Sequence, residues 1–141
     1  MKAPQFTLPF MDGTGYFDLS KERGKLIVIT FWVSWCPDCA QDLPKKEALF
    51  QSMDQDKVNM ITINVPGRER SVRDGEKFAQ KFLTQPTLRD NNRDVYDLYQ
   101  CKGVPTTVLI DQKGDWVESF DDKASFFSIV EAVGKWMENS G

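Results

Sequence analysis

Cys36 and Cys39 are the residues of this chain best suited to do chemistry. Pro37 and Asp38 stand between them and Trp35 stands in front. Thiols at this spacing can close and reopen a disulfide, in which the thiolate is the nucleophile. As a staple the bond would achieve little, because crosslink stabilisation grows with the length of the closed loop. A closed zinc site needs four nitrogen or sulfur ligands. The chain has three cysteines and no histidine, so ligand count weighs against a metal. The third cysteine, Cys101, is expected to pack as a small hydrophobe between Tyr99 and Val104, with a second redox role as the lesser alternative.

Disulfide exchange requires an attacking sulfur that is ionised and reachable. A helix N-terminus offers free N–H groups and the positive end of the dipole, both favouring a charged sulfur. Pro37 suits the first helical position, where its missing N–H costs nothing. Cys36 therefore falls at the helix start and is assigned the attack. Cys39, one turn on and more buried, is assigned the resolution of the mixed disulfide. Asp38 suits the first turn of a helix, but its carboxylate opposes negative charge on Cys36. Destabilising the thiolate makes the couple more reducing, which predicts a reductant.

The elements around the pair follow from pattern. Leu26 to Val33 is a continuous β-branched and aromatic run, expected as a central strand buried on both faces. The helix from Pro37 is expected to bury Leu43, Ala48, Leu49 and Met53 and to turn Gln41, Lys45, Lys46 and Gln51 outward, with Pro44 inside it. Before the strand, residues 6–18 read as a hairpin around Asp12-Gly13-Thr14-Gly15, and residues 19–23 as one helical turn ended by Gly24. After the helix come a strand over residues 58–65 and a helix from a capping box at Ser71-Val72-Arg73-Asp74 to about Phe82, weakened by Gly75. A short strand at residues 87–89 precedes a short helix over residues 94–99 that buries Val95, Leu98 and Tyr99. A second apolar strand spans residues 103–110, with a turn at residues 111–114 leading to a strand over residues 116–119. The last helix runs from about Lys123 to Glu138 with a stripe of Phe126, Phe127, Val130, Val133, Trp136 and Met137. This order predicts an α/β chain with one sheet covered by helices on both faces.

At 141 residues the chain fits one domain spanning residues 1–141. Its net charge of −3 comes from interleaved acids and bases, which argues against a nucleic-acid surface. The cluster Arg68, Arg70 and Arg73 is interrupted by Glu69 and Asp74 and reads as a solvated loop. No apolar run approaches the ~20 residues of a membrane helix, and the first residues lack the apolar core of a signal peptide. A cytoplasmic protein starting at Met1, or a mature extracytoplasmic or membrane-tethered domain freed of its export segment, both fit.

Residues 31–39, Phe-Trp-Val-Ser-Trp-Cys-Pro-Asp-Cys, taken with Val104-Pro105-Thr106-Thr107, resemble a thioredoxin-fold oxidoreductase. More narrowly the chain is similar to the extracytoplasmic TlpA/ResA-type branch, which serves disulfide reduction and cytochrome c maturation. The opening Ala3-Pro4-Gln5-Phe6-Thr7-Leu8, the Gly24-Lys25 pair and the late Asp111-Gln112-Lys113-Gly114 turn extend the likeness over nearly the whole chain. The resemblance implies a thioredoxin-like three-layer fold with a central mixed sheet and an N-terminal β-hairpin. It implies that Pro105 is a cis-proline beside the dithiol, with the Val104 main chain open to pair with a substrate strand. Trp35 would shape access to Cys36. Asp42 would stand where this branch holds an acid, usually Glu, that exchanges a proton with Cys39; the plain alternative is a solvated helix residue. Two departures stand out: Thr30 replaces thioredoxin's buried Asp on the central strand, and Pro-Asp between the cysteines is unlike the Glu-Pro or Gly-Pro of relatives.

No cofactor is expected, since dithiol chemistry needs none. The expected partners are protein or small-molecule disulfides and an upstream thiol electron donor, met by a monomer. A peroxide reductase on the same fold is the first rival. It relies on a Pro-x-x-x-Thr-x-x-Cys run, and residues 31–35 before Cys36 do not supply it. A metal-handling module is the second; copper carriers of this fold use Cys-x-x-x-Cys with a histidine, and this chain has neither.

Overall fold

A computed structural model describes residues 1–138. Strands β1 (Thr7–Pro9) and β2 (Tyr16–Asp18) form the expected antiparallel hairpin, followed by a single 3-10 turn over Leu19–Lys21. The main sheet contains β3 (Leu26–Trp32), β4 (Val58–Asn64), β5 (Thr87–Arg89), β6 (Thr106–Ile110) and β7 (Trp116–Phe120) in the order β5-β4-β3-β6-β7. β4 runs parallel to β3 and β5 parallel to β4, while β6 and β7 are antiparallel additions. Helices α1 (Pro37–Ser52), α2 (Val72–Phe82), α3 (Asp94–Leu98) and α4 (Phe126–Glu138) complete the chain. β6 starts at Thr106 rather than at Gly103, because a proline at 105 has no N–H to give a ladder.

β3 is central and every residue of it is buried. From Leu26 to Ile29 its side chains alternate between two cores, as strand geometry requires. Leu26 and Val28 join Met60, Leu109, Ile129 and Val133 in one; Ile27, Ile29 and Phe31 join Phe6, Leu8, Phe17, Tyr96 and Tyr99 in the other. Alternation therefore puts Thr30 on the face of Leu26 and Val28.

Four sequence expectations are corrected. Ala48 is exposed, and Lys46, expected outward, is fully buried. Leu98 is exposed, and Tyr96 takes the inward place beside Val95 and Tyr99. α4 begins at Phe126, not Lys123, and buries Ile129, Ala132 and Val133 while Phe127 faces out. At α2, Ser71 holds the N-cap position with extended backbone, but its hydroxyl makes no cap bond; the Asp74 N–H instead donates to the Ser71 carbonyl at 3.0 Å. The capping box is not formed.

Gly75 has a packing reason rather than a propensity one. A Cβ built there would lie 2.5 Å from Asn64 Oδ1. Asn64 is buried and cannot swing aside, since its Nδ2 donates to Trp32 O and to Glu69 Oε2. Helix propensity alone favours Gly75→Ala by about 1 kcal/mol, whereas overpacking a buried contact costs about 1–3 kcal/mol. Gly75→Ala is therefore expected to lower the thermal midpoint, and a raised midpoint in a melting experiment contradicts the packing account.

Candidate active site

Local sequence explains how the dithiol is presented. β3 ends at Trp32, the chain turns through Val33, Ser34 and Trp35, and α1 opens at Pro37 with Cys36 as its N-cap. The Cys36 Sγ accepts the Cys39 N–H at 3.4 Å, so the sulfur does what a capping oxygen does elsewhere. It also donates to Val104 O at 3.5 Å. Cys36 keeps 7% of its surface and Cys39 none, and both are free thiols. Burial pushes the Cys39 thiol far above its ordinary value, and its hydrogen bond with Cys36 and the charge of Asp42 add to the rise.

The Val104–Pro105 peptide is cis, and Val104 and Pro105 are buried against this end of α1. Asp38 is exposed in the first turn. A cleft of roughly 120 Å3 runs along α1, lined by Asp38, Gln41, Asp42, Lys45, Pro105 and Thr107 among others. Asp42 is half-buried and lines this cleft. Its Oδ2 accepts from Lys46 Nζ at 3.1 Å.

Trp35 is 40% exposed. Its Nε1 donates to Arg68 O at 2.8 Å, and the Arg70 guanidinium lies 5.3 Å from its ring centroid. The arginine loop is therefore only partly solvated: Arg68 also donates to the Tyr96 hydroxyl and stacks on its ring. Beneath it Glu69 holds the turn. Its carboxylate accepts from the Ser34 N–H (2.8 Å), the Ser34 hydroxyl (2.6 Å) and Asn64 Nδ2 (2.6 Å). Cys101 sits apart, packed against the core near Trp116 and Thr106. Burial pushes its thiol up to about 12, which suits a small hydrophobe and not a nucleophile.

The structure thus brings Trp35, Cys36, Pro37, Asp38, Cys39, Asp42, Val104 and Pro105 to one end of the sheet. Sequence reasoning missed Glu69 and Lys46. Glu69 looked like one charge in a charged loop. Lys46 did leave a signal, for it stands seven residues after Cys39 and three after Leu43, on the same buried helix stripe.

The AhpC/TSA family profile matches residues 1–118. The chain belongs to the AhpC/TSA family. Among curated members of similar sequence, the thiol-disulfide oxidoreductase ResA of Geobacillus kaustophilus is 35% identical over 80% of this chain and 63% of its own length. The thioredoxin-like protein YneN of Bacillus subtilis is 33% identical over 80% of this chain and 65% of its own. This chain thus spans a little under two-thirds of those relatives. Of solved structures, the exposed lipoprotein thioredoxin Etrx1 of Streptococcus pneumoniae superposes with a TM-score of 0.81 at 26% identity, covering 94% of this chain and 99% of that one. The fold is thioredoxin-like, with a mixed sheet flanked by helices behind an N-terminal hairpin. Among the described residues no helix is long and apolar enough to cross a membrane.

Proposed function

We propose that the chain is a single thioredoxin-like domain that acts as a thiol–disulfide oxidoreductase, reducing protein disulfides. The carrying observation is the sulfur pair at the head of α1, with Cys36 Sγ capping the helix beside Val104 O and Cys39 Sγ fully enclosed behind it. The Cys36 thiolate attacks a substrate sulfur, forming a mixed disulfide and expelling the first substrate thiolate. Cys39 then attacks Cys36 Sγ, the Cys36–substrate bond breaks, and the second substrate thiol leaves. Two electrons pass from the dithiol to the substrate, and an upstream thiol donor must return them. The Val104 main chain, beside Cys36, is where an extended substrate segment would add as a strand.

The likeness to proteins named thiol-disulfide oxidoreductases supports this reading over peroxide reduction, as does the absence of the Pro-x-x-x-Thr-x-x-Cys run. The test is reduction of insulin disulfides together with a redox titration of the Cys36–Cys39 couple. Turnover with a potential at or below about −230 mV is expected. A potential above about −150 mV, in the range of strong disulfide donors, overturns the assignment as a reductant. No insulin reduction at all overturns the activity.

A further inference from the structure

Lys46 is a charged residue placed where α1 calls for an apolar one. None of its surface is exposed. An ammonium has three N–H donors, and each has an acceptor: Thr107 Oγ1 at 2.8 Å, Thr30 Oγ1 at 3.0 Å and Asp42 Oδ2 at 3.1 Å. Thr30 and Thr107 face each other across the β3–β6 ladder, so the amine is fixed to the middle of the sheet. Leucine or methionine would fill the same space without the desolvation cost of a buried ammonium. Helix geometry points to the reason for a lysine. Cys39 and Asp42 are three residues apart and Asp42 and Lys46 four, which stacks all three on one face of α1. Asp42 stands between them and also borders the solvent cleft.

We infer that Lys46 is a positioning residue for the resolving step: its ammonium, anchored by Thr30 and Thr107, holds the Asp42 side chain aimed toward Cys39. The inference rests on the dithiol reading above. When Cys39 attacks, its S–H proton passes to Asp42 and the Cys36–Cys39 bond forms as the Cys36–substrate bond breaks. The substrate sulfur leaves as a thiolate, and Asp42 returns the proton through the cleft to solvent or to that thiolate. With Lys46 present, the Lys46–Asp42–Cys39 trio carries no net charge before or after the proton moves. Without it, the proton would have to pass between Asp42 and the enclosed Cys39 with no cation beside them to balance the negative charge. Burial works against the Lys46 ammonium, and both Asp42 and a thiolate at Cys39 support it. That is the coupling such a trio requires.

The experiment is stopped-flow reaction of the reduced protein with DTNB. Attack by Cys36 releases one thionitrobenzoate, and resolution by Cys39 releases the second. Lys46→Met is expected to slow the second release about tenfold at neutral pH and to move its pH profile up by about one unit. The first release should stay within about twofold. The other titratable groups near the trio are Cys36, Asp38 and Lys45 on α1 and Asp121 and Asp122 across the cleft; β3 and β6 present only the neutral Thr30 and Thr107 to the amine. These groups are unchanged in the variant, so a shift confined to the second release belongs to Lys46. In an Asp42→Asn background Lys46→Met should add no further slowing. Lys46→Gln, which keeps a hydrogen-bond donor without the charge, should behave like Lys46→Met and serves if the latter does not fold. An unchanged second release, equal slowing of both releases, or wild-type behaviour of Lys46→Gln overturns the inference. Absence of any release from the unaltered protein overturns the dithiol reading instead.

Discussion

Replacing Cys39 with serine is expected to convert the protein into a trap. The Cys39→Ser variant retains Cys36 at the rim, capping α1 and donating to Val104 O. It should still release the first thionitrobenzoate from DTNB and then stop, with a stable Cys36–thionitrobenzoate adduct visible by intact-mass measurement. Cys36→Ser should lose even that first release, by at least about a thousandfold, because the remaining thiol is fully buried and pushed far above its ordinary value. The asymmetry is the informative part. Two equivalent thiols would give two half-active variants, whereas one that keeps a sliver of surface at a helix start and one fully enclosed behind it give a trap and a dead protein. Equal residual reactivity of the two variants would contradict the assigned order of attack. On exposure to extracts holding substrates in their disulfide form, or to defined disulfide peptides, the Cys39→Ser protein should also accumulate mixed disulfides that a reducing agent dissolves.

Much of this could be read from residue types alone, and the failures share a cause. β3 was legible because seven consecutive apolar or β-branched residues have no other stable home than a sheet covered on both faces. The start of α1 was legible because Pro37 fits the first helical position and no later one as well. The site residues distant in sequence, Val104 and Pro105, were reachable only through resemblance, since nothing in local pattern says which loop meets the dithiol. Lys46, Leu98 and Phe127 were misplaced for one reason: residue polarity was given more weight than helical spacing. Lys46 lies on the stripe of Cys39 and Leu43 and is buried, while Leu98 and Phe127 lie off their stripes and face out. A lysine can satisfy its three donors inside a protein when two threonines and an aspartate happen to converge. That convergence joins β3, β6 and α1, and no single stretch of sequence reveals it.

Glu69→Ala is expected to cost about 2–4 kcal/mol of stability and to impair the dithiol at the same time. The carboxylate accepts three hydrogen bonds, from the Ser34 amide, the Ser34 hydroxyl and Asn64 Nδ2. Ser34 is half-buried, so water can take over part of its loss. Asn64 is fully enclosed and its Oδ1 already has no partner among the described residues. Stripping its Nδ2 of Glu69 leaves it only the longer 3.4 Å bond to Trp32 O, so most of the cost falls there. The functional consequence follows from where these groups lie. Ser34 immediately precedes Trp35 and Cys36, and Trp35 is held by the carbonyl of Arg68, next to Glu69. Releasing Ser34 frees the segment that aims Cys36 at Val104, and loss of orientation at a nucleophile costs rate steeply. The first thionitrobenzoate release should therefore slow by about tenfold. Glu69→Gln should fall between, because an amide can accept from one side but presents N–H groups to donors on the other. Arg68→Ala separates the effects: it removes the stack on Tyr96 but keeps the main-chain carbonyl that holds Trp35, so it should lose stability without losing the first release. Urea denaturation and stopped-flow release on the three variants decide the matter, and an unchanged denaturation midpoint for Glu69→Ala would show that the turn before Cys36 is held by something else.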